Sequence, residues 1–212
     1  MATRLFVFGR RVLALNIGAL TLTCACGRTS EQKAIEPVYD KQTGRLELLK
    51  FDANGNGKTD TLSYMDGSRI LRIEIDKDED GKPERWEYYD DEQKLVKVGF
   101  SRSGAGKEDA WSFAAPDGTP ARIEIATMAD GKVRRTEYYE KGAIARAEED
   151  SDGDDVIDKW ETYDNAGPES RLASVSFDLH HRGSPDRRLT YEVSGAVLVE
   201  VDPDGDGKFV LP

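Results

Sequence analysis

The sequence has few of the side chains that carry nucleophilic or transition-metal chemistry. Its two cysteines, Cys24 and Cys26, both lie in the first 26 residues, and its two histidines are the neighbours His180 and His181. The chain beyond residue 26 therefore has no disulfide, no cysteine metal site and no thiol nucleophile. For His180 and His181 we favour a surface turn over a two-histidine metal site.

Catalytic motifs are missing as well. The chain has no Gly-x-Ser-x-Gly elbow, no His-Glu-x-x-His pair and no phosphate-binding loop. Acidic side chains are numerous enough for a glycosidase-like pair, but nothing singles one pair out. We therefore expect a non-enzymatic protein, and a secreted hydrolase that uses loop carboxylates is the least favoured alternative.

Strongly apolar stretches are confined to the amino terminus. The segment from Val12 to Leu22, 11 residues, is too short to cross a bilayer. A basic start precedes it and small residues follow it, so residues 1–26 are predicted to be a secretory signal peptide. Residues 27–44 are polar, contain Pro37 and have no periodicity, which predicts a flexible tether. Residues 45–212 are enough for one domain, the tandem repeat domain described below.

The end of the signal peptide, Thr23 to Gly27, resembles a bacterial lipobox. Ala25 precedes Cys26 and Gly27 follows it, so the resemblance implies that Cys26 becomes the lipidated first residue. It also implies a protein held by lipid at a bacterial cell envelope, in the outer membrane or periplasm or on the cell surface. The membrane would then be one partner. Ordinary cleavage to a soluble secreted protein is the alternative.

Positive charge is in short supply. Beyond residue 26 the chain has 27 Lys and Arg residues against 41 Asp and Glu residues. Because such a surface repels nucleic acid, we expect no nucleic-acid partner. The acids concentrate in short segments in which they occupy every second position, and a merely solvated surface does not require that pattern.

The acidic segments recur at a nearly constant interval. Each contains a glycine, or an aspartate in its place, and the spacings between these anchors are 24, 25, 25, 24, 28 and 24 residues. The anchors are Gly57, Gly81, Gly106, Gly131, Asp155, Gly183 and Gly207. Seven phased copies indicate tandem repeats.

Alternating sequences on both sides of each acidic segment predict strands. Leu71, Ile73 and Ile75 share one parity and Arg72 and Glu74 share the other, which is the period of a half-buried strand. Short connections join antiparallel neighbours. The sequence therefore predicts an all-β fold, an antiparallel meander of about seven hairpin repeats of 24–28 residues. We expect about 14 strands with one apolar face, in one elongated, rolled or doubled sheet. A β-solenoid is the alternative.

Two sets of aromatic residues keep a fixed distance from the anchors. The tryptophans lie five residues past an anchor, on the parity that we assign to the apolar face, and are expected in the core: Trp86, Trp111 and Trp160. Tyrosines recur eight residues past an anchor on the opposite parity: Tyr89, Tyr139, Tyr163 and Tyr191. If these tyrosines formed an exposed ladder, the chain would be a carbohydrate-binding module, which is the main alternative function.

The acidic segments match the ligand pattern of calcium loops. Oxygens at positions 1, 3, 5 and 9 and the carbonyl of position 7 can surround calcium, and glycine at position 6 permits the bend. The first copy offers Asp52, Asn54, Asn56, the Lys58 carbonyl and Asp60. The second copy offers Asp76, Asp78, Asp80, the Lys82 carbonyl and Glu84. The fifth copy offers Asp150, Asp152, Asp154, the Val156 carbonyl and Asp158. The last copy offers Asp202, Asp204 and Asp206. The other three copies have lost most of these ligands, so the fold is expected to tolerate unloaded loops.

These segments resemble the calcium loops of EF-hands and of thrombospondin type 3 repeats, and the hairpins resemble bacterial MORN-type repeats. The flanking helices of an EF-hand are absent. Glu87 and Glu161 occupy position 12, where an EF-hand has its last ligand, but in a strand we expect them to pair with Arg or Lys across the sheet. The resemblance implies a calcium-binding structural or interaction protein of the cell envelope, with an unknown protein or glycan as its partner.

Overall fold

The computed structural model describes residues 35–127, 130–167 and 169–212, so the signal peptide and Cys26 lie outside the described residues. The described residues form one antiparallel sheet of 14 strands in chain order, which confirms the predicted all-β meander. The strands are β1 Ile35–Tyr39, β2 Leu46–Phe51, β3 Thr61–Asp66, β4 Arg69–Ile75, β5 Arg85–Tyr89, β6 Leu95–Phe100, β7 Ala110–Ala114, β8 Pro120–Ile125, β9 Arg135–Glu140, β10 Ala143–Glu149, β11 Lys159–Asp164, β12 Arg171–Phe177, β13 Arg187–Tyr191 and β14 Val197–Val201. The described part of the chain contains no helix with the length and apolarity needed to cross a membrane.

Two kinds of connection alternate along the meander. Tight turns lead from odd-numbered to even-numbered strands, as at Lys141-Gly142, where φ angles of 52° and 80° fit the type I′ turn that joins twisted strands. The acidic segments lead from even-numbered to odd-numbered strands. Because of this alternation, all the acidic segments lie at the same edge of the sheet, at the ends of its strands.

The sheet is open and has a single layer in the described residues. Each strand pairs only with its neighbours in the chain, and β1 and β14 are the two edges. No second layer of described residues covers either face. Because all neighbouring strands pair in antiparallel fashion, the fold is a meander and not the β-solenoid considered as an alternative. Such a sheet has to bury apolar surface within each face.

The prediction of one apolar face is wrong. The register pairs Glu74 with Trp86, so the tryptophan shares a face with charged residues of β4, and Ile73 lies opposite Glu87 on the other face. We call the face of Trp86 face A and the face of Ile73 face B. The reason is the loop register, which pairs Ile75 with Arg85 and therefore places the apolar residues of neighbouring strands on opposite faces. Trp86 is buried, whereas Trp111 and Trp160 are only half-buried.

Each face therefore consists of alternating apolar and charged stripes. On face A the aromatic rings of odd-numbered strands lie beneath cations of the neighbouring even-numbered strand. The cation lies 4.2 Å from the ring centroid for Arg72 over Tyr64, 3.9 Å for Lys97 over Tyr88, 4.3 Å for Arg122 over Phe113 and 3.5 Å for Arg146 over Tyr138. The stems of these long side chains cover apolar surface while their charges reach water. This arrangement explains how a sheet without a second layer retains a buried interior.

The prediction of a flexible tether over residues 27–44 is wrong for residues 35–39. These residues form β1 and pair with β2, with Pro37 opposite Leu49. A proline at an edge strand costs little because its missing N–H would not be needed by a second neighbour. At the opposite edge, a single bridge between Val201 and Val210 closes the last acidic segment.

Candidate cation-binding loops

Seven nine-residue segments line one edge of the sheet, and we number them loop 1 to loop 7. They are residues 52–60, 76–84, 101–109, 126–134, 150–158, 178–186 and 202–210, of which residues 128 and 129 lie outside the described residues. In each loop the N–H of position 9 donates to the carbonyl of the residue before position 1, as Glu84 does to Ile75 at 3.0 Å. The N–H of position 1 donates to the carbonyl of position 9 in the preceding loop, as Asp76 does to Asp60 at 2.8 Å. Neighbouring loops are therefore held side by side.

The acidic side chains organise each loop by accepting backbone amides. In loop 2 the Asp76 carboxylate accepts the Gly81 amide at 2.8 Å, Asp78 accepts the Asp80 amide at 3.2 Å and Asp80 accepts the Lys82 amide at 2.8 Å. Loop 7 repeats this pattern at Asp202, Asp204 and Asp206. Aspartates that turn the backbone in this way keep oxygens free for a ligand inside the loop.

Position 6 has the left-handed backbone that the sequence predicts. The φ angles are 91° at Gly57, 85° at Gly81 and 85° at Gly207, a conformation that glycine adopts without strain. Asp155 adopts the same conformation with φ at 70°, which explains how a non-glycine residue fits this position of loop 5.

Loop 2 brings three carboxylates together without a counter-charge. One oxygen each of Asp76, Asp78 and Glu84 lies within 4.8 Å of the others. Among the described residues no Lys or Arg side chain pairs with any of the three, and Lys82 pairs instead with Asp80 at 3.3 Å. The Asp76 Oδ1 atom is buried and has no hydrogen-bond partner in the described chain. Two unit charges at this distance repel by about 1 kcal/mol in water and about 3 kcal/mol at an effective dielectric constant of 20.

Loops 5 and 7 also bring predicted ligands together. Oxygens of Asp150, Asp152 and Asp158 lie within 4.8 Å of one another in loop 5, and the same holds for Asp202, Asp204 and Asp206 in loop 7. Asp202 is almost completely buried at 2% exposure. Burial acts to raise the pKa of Asp202, but amide hydrogen bonds from Gly207 and Gly205 outweigh it and hold the pKa below its ordinary value.

Loop 1 has only two acids, and its polar side chains already have partners. The Asp52 carboxylate accepts amides of Gly55, Asn56 and Gly57, and Asp60 accepts the Ala53 amide. The side-chain amides of Asn54 and Asn56 both donate to Glu79 of loop 2. The sequence did not predict this role for Glu79, whose only signal is a charged residue at position 4, where loops 1, 3, 5 and 7 have glycine. Its φ of 61° is unusual for a side chain of this kind.

Loops 3 and 6, which lack most of the ligands, keep the same form. In loop 3 Asp109 accepts the amides of Arg102 at 2.7 Å and Ser103 at 2.9 Å. In loop 6 Asp178 accepts the amides of Arg182 and Gly183. Acids at positions 1 and 9 are thus used by the backbone itself, and the acids at positions 3 and 5 distinguish the candidate cation loops.

The predicted tyrosine ladder lies on face B, with its hydroxyls engaged. The hydroxyls of Tyr89, Tyr139 and Tyr163 donate to the glutamate two residues earlier, at 2.7 Å, 3.0 Å and 2.8 Å. Burial and these hydrogen bonds raise the pKa of Tyr89 and of Tyr139 to about 12. Tyr191 is half-buried near the end of the sheet. Sugar binding by these rings remains a prediction.

Glu161 pairs with cations of the sheet, as its outward strand position predicts. It accepts from Arg135 at 2.7 Å, from Lys159 at 2.9 Å and from Tyr163 at 2.8 Å. Glu87 pairs with Arg85 of its own strand at 2.8 Å. Position 12 is therefore part of face B and is not part of the loops.

No family model matches the chain. Among solved structures, TarM is similar over 45% of this chain and 18% of its own, with 14% identity and a TM-score of 0.37. A structure of accessory secretory proteins 1, 2 and 3 of Streptococcus pneumoniae is similar over 50% of this chain and 19% of its own, with 14% identity and a TM-score of 0.38. The similar regions span less than a fifth of those chains. At these TM-scores the similarities carry no functional argument.

Proposed function

We propose that this chain is a non-enzymatic, calcium-binding repeat protein of a bacterial cell envelope. Its loops would bind calcium, its sheet would present a surface to a protein or glycan partner, and lipid on Cys26 would hold it at the membrane. Loop 2 supports the proposal most directly, because Asp76, Asp78 and Glu84 converge without a cation and Asp76 Oδ1 has no partner in the described chain.

Calcium fits this cluster better than smaller or softer ions do. The side chains of loop 2 offer only oxygen, and calcium accepts six to eight oxygens in flexible geometry, whereas magnesium demands a nearly ideal octahedron. Carboxylates at positions 1, 3 and 9 would leave the remaining sites to carbonyls and water. Loop 7 supports a second site, because Asp202 is buried beside Asp204 and Asp206. Loop 1 stays a prediction from the sequence.

The ions would have a structural role. Each acidic cluster concentrates repulsion at one edge of the sheet, and bound calcium would cancel it where loops lie side by side. The expected affinity is that of extracellular modules, about 0.1–1 mM, and is matched to the calcium outside cells.

The test is thermal unfolding with calcium and with chelator. Calcium at 100 times its dissociation constant should stabilise the fold by about 2.7 kcal/mol per independent site. Asp78→Ala should lose part of this gain, whereas Ser103→Ala, at the same position of loop 3, should respond like the unaltered protein. A melting temperature that is the same in calcium and in chelator would contradict the proposal.

Carbohydrate binding by the face B tyrosines is the second candidate. It is favoured by the equivalent positions of Tyr89, Tyr139 and Tyr163, whose hydroxyls all donate to the glutamate two residues earlier on face B. A glycan array followed by Tyr139→Ala distinguishes it from the calcium scaffold, for which no sugar binding is expected.

A further inference from the structure

Arg134 occupies a position where five of the other six loops place an acid. It is position 9 of loop 4, which is Asp60, Glu84, Asp109, Asp158 or Asp186 in loops 1, 2, 3, 5 and 6. Its side chain is almost completely buried, with 4% exposure, although arginine is rarely buried without partners. A buried guanidinium at this place therefore requires an explanation.

The partners of Arg134 include two acids of loop 5. Its Nη1 atom contacts Asp150 Oδ2, the most buried ion pair of the described chain, and lies 3.3 Å from Asp155 Oδ1. Its Nη2 atom lies 2.6 Å from Asp130 of its own loop. Lys132 adds a second cation, 2.5 Å from Asp155 Oδ2. Loop 5 thus receives positive charge from the preceding loop.

The repeat geometry explains how Arg134 reaches Asp150. The N–H of Asp150 donates to the Arg134 carbonyl at 2.8 Å, the link that joins position 9 of each loop to position 1 of the next. At three other junctions an acid lies beside an acid, as Asp186 does beside Asp202. In the described chain only the junction between loops 4 and 5 places a cation there.

We propose that Arg134 is a tethered cation that neutralises loop 5 in place of a divalent ion. The inference rests on the proposed calcium binding of the other loops. Asp150 Oδ1 accepts the Gly153 amide, and Oδ2 accepts both the Asp155 amide and Arg134. A calcium ion in loop 5 would have to displace a buried guanidinium or lie against it, and either is costly. Loop 2 has no cation at its three clustered carboxylates, and in loop 7 only the exposed Lys208 pairs with one of them, Asp206, so neither loop has a buried cation in place of calcium.

Calcium titration of the purified full chain by calorimetry tests the inference. Arg134→Gln should bind one more calcium per chain than the unaltered protein, whereas Arg134→Lys, which keeps a cation, should not. In chelator Arg134→Gln should melt at a lower temperature, and calcium should restore it. An unchanged stoichiometry in Arg134→Gln would overturn the inference while the calcium binding of the unaltered protein still stood.

A second measurement does not depend on the folding of that variant. The measurement is a crystal structure of the unaltered protein in about 10 mM calcium, well above the dissociation constants of extracellular modules. It should show ions in loops 2 and 7 and Arg134 against Asp150. An ion in loop 5 with Arg134 displaced would overturn the inference alone. If the unaltered protein bound no ion and Arg134→Gln bound one, the proposed function would fail and the inference would stand. If neither bound calcium, both would fail.

Discussion

At the residue scale, the faces of the sheet depend on half-buried charged side chains that pair with one another. Arg135 is the centre of one such group, because it contacts Glu137 at 3.0 Å, Glu149 at 3.1 Å and Glu161 at 2.7 Å. Ala147, the most buried apolar residue of the core at 1% exposure, lies between Glu137 and Glu161. The charged side chains thus cover the backbone that a second layer would otherwise cover.

This network predicts a loss of stability in acid. Burial acts to raise the pKa of Glu161, but Arg135, Lys159 and Tyr163 outweigh it and lower the pKa from 4.5 to about 2. Because the pKa is lower in the folded protein, the ionised carboxylate stabilises the fold above pH 4.5. This stabilisation is lost as the pH falls from 4.5 towards 2. The expected loss is about 2–3 kcal/mol.

Chemical denaturation of Glu161→Gln at several pH values measures this effect. The variant should be less stable at pH 7 and should lose less stability across the acid range than the unaltered protein. Glu47→Gln, which changes an exposed glutamate of β2, is the matched control and should follow the unaltered protein. If Glu161→Gln and the unaltered protein lost equal stability in acid, the network would not have the role given to it here.

The arrangement of side chains within one loop could be predicted from the sequence, but their partners in neighbouring loops could not. Alternating acids and a glycine are local signals, so the turn at Gly81 and the convergence of Asp76, Asp78 and Glu84 followed from spacing. Glu79 and Arg134 act on a different loop from their own. Their roles depend on which loops lie side by side, which only the sheet register determines.

At the scale of the strand and hairpin, the period of two in the sequence reliably predicted strands, but it did not predict which face of the sheet their apolar residues occupy. Most strands have one apolar parity, but the nine-residue loops pair Ile75 with Arg85 and so alternate the apolar parity between faces. Nothing within a single strand reveals that register, because it depends on how the loop closes. The strand β1 was missed for a related reason, since Pro37 disguises an edge strand.

The striped faces predict that cations over rings stabilise the sheet. Arg72 lies 4.2 Å from the Tyr64 ring and opposite Tyr88 in the next strand. Arg72→Ala should destabilise the fold by about 1–2 kcal/mol, because it removes both the cation and the stem that covers the rings. Lys94→Ala removes an exposed turn cation and should cost less than about 0.5 kcal/mol. Equal costs in urea denaturation would contradict the proposed covering role.

At the scale of the whole molecule, the described strands pair only with their chain neighbours. Stability in such a chain is close to a sum over neighbouring repeats, and the ends open more easily than the middle. The paired charges around Arg135 and the buried Ala147 place the most stable region at β9 to β11.

Hydrogen exchange should therefore show a gradient. Amides of β9 to β11 should be the most protected, and protection should decrease towards β1 and β14, which each have one neighbour. Mass spectrometry of exchanged peptides measures the gradient. Uniform protection from edge to edge would instead show one cooperative unit.

The excess of acid over base is also a property of the whole molecule, because the loops bring it to one edge of the sheet. Calcium bound there is the central claim, and equilibrium dialysis of the purified protein against millimolar calcium, followed by elemental analysis, tests it most directly. We predict about two calcium ions per chain, in loops 2 and 7, with sodium at equal ionic strength unable to displace them. A dialysed protein with no more calcium than the surrounding buffer would contradict the account.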